Sequence, residues 1–128
     1  MSISYTIDGQ NPTFLRFLCR GTYARDALLG VINEAIETAN RMNRTAVLLD
    51  GRDIEGIPPG VFERYQLGVG AARIQRENMP LVTIAVVGNE PMIDPKRLGE
   101  IVFLNRGGVG KVFTDIDDAV AWLEDRAK

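Results

Sequence analysis

Asp50, Asp53 and Glu55 follow the apolar run Thr45-Ala46-Val47-Leu48-Leu49, with Gly51, Arg52 and Gly56 set among them. Carboxylates grouped at a strand end suit acid–base catalysis or cation binding, and the glycines let a partner approach the backbone closely. The rest of the chain does little to complete such a set. It contains no histidine, which removes the commonest base near neutral pH and the commonest metal ligand. The stretch from Asp50 to Gly56 also lacks any Ser, Thr or Cys to act as a nucleophile. The same carboxylates equally suit turn formation, helix capping or pairing with Arg52. The stretch marks a location for function without a reaction, and no catalytic residue, metal or cofactor is assigned.

Two glycine-rich stretches invite nucleotide chemistry. Gly107-Gly108-Val109-Gly110-Lys111 resembles the end of a phosphate-binding P-loop, but Asn105 stands where the first glycine is needed and Val112 where a Ser or Thr would hold magnesium. The loop also leads into a strand and not into a helix. Gly68-Val69-Gly70 falls inside an expected helix without the third glycine of a dinucleotide fingerprint, so close helix packing is the favoured reading. Asp50 at a strand end invites comparison with phosphoaccepting receiver domains. Their other parts are missing, with only Asp8 after the first strand, Gly88 where a hydroxyl is needed and no lysine between Phe113 and Lys128. The lone Cys19, beside Phe17 and Leu18, reads as a small core residue.

A chain of 128 residues with net charge −2 fits one domain with its own core and carries no large basic excess for nucleic acid. No basic leader precedes an apolar run and no stretch is long enough for a membrane span, so a cytoplasmic protein is expected. Ile3, Tyr5 and Ile7 alternate with polar residues as in a half-buried strand; Asp8-Gly9-Gln10-Asn11-Pro12 then turns the chain into a second strand from Phe14 to Leu18. Gly21 ends that strand and Thr22 caps a first helix carrying Leu28, Ile32, Ala35 and Ala39. Thr45 to Leu49 is a strand. Pro58 and Pro59 open a second helix with Phe62, Tyr65, Val69 and Ala72 facing inward. Leu81 to Val87 is a buried central strand, Pro95 starts a third helix and Lys111 to Phe113 is a short strand. Thr114 or Asp115 caps a last helix packed through Ala119, Val120 and Leu123, with Arg126 and Lys128 at its far end. The expected fold is a single α/β domain of order β-β-α-β-α-β-α-β-α, in which an antiparallel hairpin opens a mixed, mostly parallel sheet.

With this order, the chain resembles a STAS domain of the SpoIIAA-like branch, related to anti-sigma factor antagonists. The likeness is carried by Ala46-Val47-Leu48-Leu49-Asp50, by Ile84-Ala85-Val86-Val87-Gly88 and by the tail Asp118-Ala119-Val120-Ala121-Trp122-Leu123. The resemblance implies a regulatory module whose loop after the strand at Thr45 to Leu49 carries a phosphorylatable serine and whose next helix docks on a kinase. Here that loop contains neither Ser nor Thr, and the chain's serines are Ser2 and Ser4. Asp53 would supply only part of a phosphate's charge. The same branch is similar to SEC14-type lipid-binding domains, which implies an apolar pocket.

The leading expectation is a non-enzymatic module that binds another protein through Asp50, Gly51, Arg52, Asp53 and Glu55 together with Arg64 and Arg73 of the following helix. Arg64, Arg73 and Arg76 equally suit surface pairs with Glu63 and Glu77. The alternative is a small apolar or anionic ligand held by Phe62, Tyr65, Met92 and Phe103, residues that also suit an ordinary core. The small residues Gly68, Gly70, Ala71 and Ala72 would let a second copy approach, which makes a homodimer plausible.

Overall fold

Alternation of apolar and polar residues decides which side of the sheet each strand residue faces, and the helices cover what the strands leave apolar. The computed structural model describes residues 3–127; Lys128, expected at the end of the last helix, lies outside them. The chain runs β1 (Ile3–Asp8), β2 (Phe14–Thr22), α1 (Arg25–Arg41), β3 (Ala46–Glu55), α2 (Val61–Glu77), β4 (Thr83–Val87), α3 (Leu98–Asn105), β5 (Gly110–Phe113) and α4 (Ile116–Arg126). The strands lie side by side in sequence order. β1 and β2 form the expected antiparallel hairpin, and the pairs β2–β3, β3–β4 and β4–β5 are parallel, each crossed by a helix.

On one face Leu15, Phe17, Cys19, Val47, Leu49 and Ile84 pack against the buried stripe of α1, Ala72 of α2 and Phe103 of α3. On the other, Phe14, Ala46, Leu48, Ala85, Val87 and Phe113 pack against Ala119 and Leu123 of α4. The Ala-x-x-Trp-Leu tail thus seals the second layer, with the Trp122 ring 5.7 Å from that of Phe113. Asp115 caps α4 by accepting a 3.1 Å hydrogen bond from the Asp118 backbone N–H. No described helix is long and apolar enough to cross a membrane.

Several local expectations are corrected. The stretch from Asp50 to Glu55 is not a loop: β3 runs through it, because β2 also continues to Thr22 and offers ladder partners, pairing Arg20 with Asp53, Gly21 with Ile54 and Thr22 with Glu55. Gly21 and Thr22 therefore belong to a strand, and α1 begins after Ala24 without a side-chain cap. Pro95 sits in a turn before α3, which starts at Leu98; Asp94 caps it, its carboxylate accepting from the backbone N–H groups of Lys96 and Leu98 at 3.1 Å each. Leu81 and Val82 precede β4.

The inward side of α2 differs most. Phe62 and Tyr65 are exposed, and Gly68, Gly70, Ala72 and Gln75 are the buried residues. Gly68 is required by close approach: a Cβ there would lie 2.6 Å from the Gly99 carbonyl oxygen and 2.8 Å from Val102 Cβ, both on α3. The small residues thus serve packing within the chain and not between copies. Buried Gln75 then fixes the helix to the sheet. Its Nε2 donates to the carbonyls of Val82 and Val109 at 2.8 Å each, and its Oε1 accepts from the Val109 N–H at 2.9 Å. The glycines of the P-loop-like stretch are also structural, since a Cβ at Gly108 would strike the Phe103 ring.

Gly68→Ala is expected to destabilise the protein by about 1–3 kcal/mol through overpacking. Gly30→Ala, on an exposed site of α1 where a Cβ meets nothing within 4 Å, is expected to stabilise it by about 0.5–1 kcal/mol. Urea denaturation of the two variants checks both signs.

Candidate functional site

Two constellations lie back to back across β3. The first surrounds Asp50. Its side chain points to the α4 side with Ala46 and Leu48, and at 6 % exposure it is the one acidic residue among the buried ones. Arg52 grips it in a fork, Nε to Oδ1 at 2.8 Å and Nη2 to Oδ2 at 2.7 Å, and Arg16 of β2 adds Nη2 to Oδ2 at 3.0 Å. Burial works to raise the Asp50 carboxyl, but the hydrogen bonds from Arg52 and Arg16 outweigh it and hold the group below the ordinary aspartate range. A carboxylate with both oxygens held by guanidinium groups has little basicity left for proton abstraction, and the guanidinium charges around it repel a cation. Among the described residues no group of three or more His, Cys, Asp or Glu is placed to hold a metal ion.

The register between β2 and β3 shifts after Leu18 and Asp50, so that β3 carries one extra residue before Arg20 meets Asp53. An extra residue of this kind reverses the alternation that follows it. Asp53 and Glu55 consequently share the α4 side with Asp50, Arg16 and Arg20, while Ile54 turns to the opposite side. Arg64 and Arg73 lie on α2, which covers that opposite side. The residues expected to form one partner surface are thus divided between the two faces of the sheet. Arg73 is exposed. Arg64 does not pair with Glu63; it donates to the backbone carbonyls of Met92 at 3.0 Å and Pro91 at 2.8 Å. Arg76 likewise donates to the Arg106 carbonyl at 3.2 Å and not to Glu77.

The second constellation is an apolar cavity of about 190 Å³ between the sheet and helices α2 and α3. Cys19, Leu49 and Val86 form its floor, Leu67 and Ala71 its roof, and Met92, Ile93 and Phe103 its wall. Of the four residues expected in a pocket, Met92 and Phe103 are present, whereas Phe62 and Tyr65 point to solvent, 69 % and 42 % exposed. Gly51 also lines the cavity, following Leu49 by ordinary alternation, and so does Ile54, through the phase change in β3. Cys19, Leu49 and Val86 were legible as alternate positions on strands, but nothing in their spacing marks a void above them.

Four of the five charged residues that line the cavity are engaged by the chain's own backbone, and the fifth, Lys111, lies with its Nζ 5.6 Å from the Phe113 ring centre. Arg64 ties the loop after β4 to α2, and Asp94 caps α3. Arg97 Nη1 donates to the Val112 carbonyl at 2.6 Å, while Glu100 Oε2 accepts from the Val112 N–H at 2.6 Å. The cavity therefore offers dispersion contact and little unused polarity. Burial, with a smaller contribution from Asp50, raises the Cys19 thiol to about 11, so the floor carries a neutral thiol at physiological pH.

Arg16→Ala and Arg52→Ala should each cost about 1 kcal/mol, because the remaining guanidinium still holds the carboxylate. The double variant, which leaves a buried carboxylate unpaired, should cost more than the sum, on the order of 3–5 kcal/mol. Because the folded-state value of Asp50 is lowered, its contribution is present above the ordinary aspartate range and is lost as pH falls through the folded value. Urea midpoints for wild type and Asp50→Asn should accordingly converge in acid. Cys19, buried and with its thiol pushed up, should resist alkylation near neutral pH in the folded protein and react once urea unfolds it, as mass spectrometry of labelled protein would record. The chain matches no protein-family model and no curated protein.

Proposed function

We propose that this domain is a non-enzymatic binding module that takes a small, mainly apolar molecule into the cavity beneath α2 and α3. The observation that carries the reading is the 190 Å³ chamber with apolar walls, around which Arg64, Asp94, Arg97 and Glu100 are spent on backbone groups. A volume somewhat above the ~150 Å³ that accommodates a benzene ring suits a single aromatic ring or a short aliphatic chain. At about 24 cal/mol per Å³, filling it is worth up to about 4.6 kcal/mol, which corresponds to affinities in the high-micromolar to millimolar range for the smallest probes. The element order and the Trp122-Leu123 tail support placing the fold among STAS-like domains of the SpoIIAA-like branch, and the cavity favours the ligand-binding relatives over the phosphoswitch regulators.

A protein-interaction role is a second reading, favoured by exposed Ile57, Val61 and Phe62 at 85 %, 76 % and 69 %. They cluster at the start of α2, away from the Asp50 ion pairs, and exposed apolar clusters often mark contact sites. In this reading the docking surface is the α2 entrance and not the acidic stretch of β3.

Native mass spectrometry of the protein as purified, joined to thermal shifts with millimolar single-ring aromatics and short-chain alcohols, tests the ligand reading. A bound small mass or a dose-dependent shift is expected, and Ala71→Leu, which fills the chamber from its roof, should abolish either while leaving the unliganded protein folded. Absence of both signals in wild type, or their persistence in Ala71→Leu, would overturn it.

A further inference from the structure

We infer that the free edge of β1 pairs with the same edge of a second copy, antiparallel about Tyr5, to give one sheet continuous across a two-fold dimer. The two edges of the sheet are treated differently. At β5, Arg97 and Glu100 reach over from α3 and hydrogen-bond both backbone groups of Val112, which closes the edge to a further strand. At β1, among the described residues, no group outside β2 hydrogen-bonds the backbone from Ile3 to Ile7. The usual protections are missing there as well. Ser4-Tyr5-Thr6-Ile7 carries no charge, proline or glycine, and its residues favour extended pairing. Charge appears only at Asp8, beyond the run.

The occupant follows from self-complementarity. Antiparallel pairing centred on Tyr5 sets Ile3 opposite Ile7 of the second copy, Ser4 opposite Thr6, and Tyr5 opposite itself. Opposed residues share a face, so the odd positions of both copies stay on the α1 side and the even, polar positions on the other. Ile7, 43 % exposed although it lies on the apolar side, gains Ile3 of the second copy as a neighbour, and Ile3 is 8 % exposed. No like charges meet along the seam. A two-fold contact of one surface with itself is the commonest geometry for soluble homo-oligomers, and it requires no sequence beyond this chain.

The test uses the whole protein in sedimentation equilibrium up to about 100 μM, with circular dichroism melts as the check on folding. Ser4 and Thr6 are exposed, so lysines there leave the monomer intact yet oppose one another across the seam. Wild type is expected to dimerise. S4K/T6K and S4E/T6E should each raise the dissociation constant roughly tenfold or more, and mixing the two variants should restore a heterodimer through opposite-charge pairs. A wild type that stays monomeric to the highest concentration overturns the proposal. So does an S4K/T6K variant that dimerises undiminished, or a mixture of folded variants that forms no heterodimer.

Discussion

The absence of side chains at Gly68 and Gly99 lets α2 and α3 meet backbone to backbone, and most of the arrangement around the cavity depends on that contact. With α3 drawn this close, Phe103 reaches the core and forms a wall of the chamber. Arg97 and Glu100 are carried within 2.6 Å of the Val112 backbone. Gln75 supplies the complementary restraint at the other end of α2, joining the helix to the residues that begin β4 and β5. The roof of the cavity is therefore held by helix contact and buried hydrogen bonds, and not by bulky side chains that would have filled the volume beneath it. A pocket can persist in a close-packed interior only where its walls are supported from outside in this manner.

The sheet separates two kinds of energetics. On the side of α1, α2 and α3, apolar contact dominates, and what polarity exists is turned toward the chain's own backbone. On the α4 side, beyond the reach of that single short helix, unlike charges are interleaved: Asp8 pairs across the ladder with Arg16, Arg20 with Asp53, and Asp50 is held between two arginines. Asp50 is the deeply buried member of this group and Arg16 is partly buried, with its Nε left without a hydrogen-bond partner, so the desolvation cost falls on this pair, while Asp8, Arg20 and Asp53 remain solvated and contribute modestly. In the sequence the group invites an acid–base or cation-binding reading; in the structure its buried member, Asp50, links β2 to β3 through Arg16 and Arg52.

The architecture was legible where one signal dominated. The β-branched run ending at Val87 predicts a buried central strand, and β4 is a strand paired on both sides, next to the edge; the turn chemistry between Asp8 and Pro12 predicts the opening hairpin. Sequence and structure part where local and long-range signals conflict. Glycine and charge between Asp50 and Glu55 favour a loop, but the matching extension of β2 provides a ladder that local propensity does not register. Arg16 stands out within Phe14-Leu15-Arg16-Phe17-Leu18, yet its partner lies 34 residues away and no local pattern names it. In α2 the helical spacing holds but the buried side is not the one its large residues indicate: those residues suggest an inward face, whereas the close approach of α3 demands small ones. The cavity was visible only in part, through Met92 and Phe103, because a void is a property of how elements fail to meet and leaves no pattern within any one of them.

The extra residue in β3 has a bearing on how this chain tolerates change. Before it, odd positions such as Leu49 look toward the chamber; after it, Ile54 does so, and Asp53 joins Asp50 on the opposite side. Deleting that one residue would leave a regular ladder in which Asp53 follows Asp50 by two positions and stays on its side, while Ile54 still faces the chamber. Loss of one residue from the regular run before it, Ala46 to Leu49, would instead turn Asp50 toward the apolar chamber. The irregular stretch is thus the place in β3 where a change of length costs the downstream faces least.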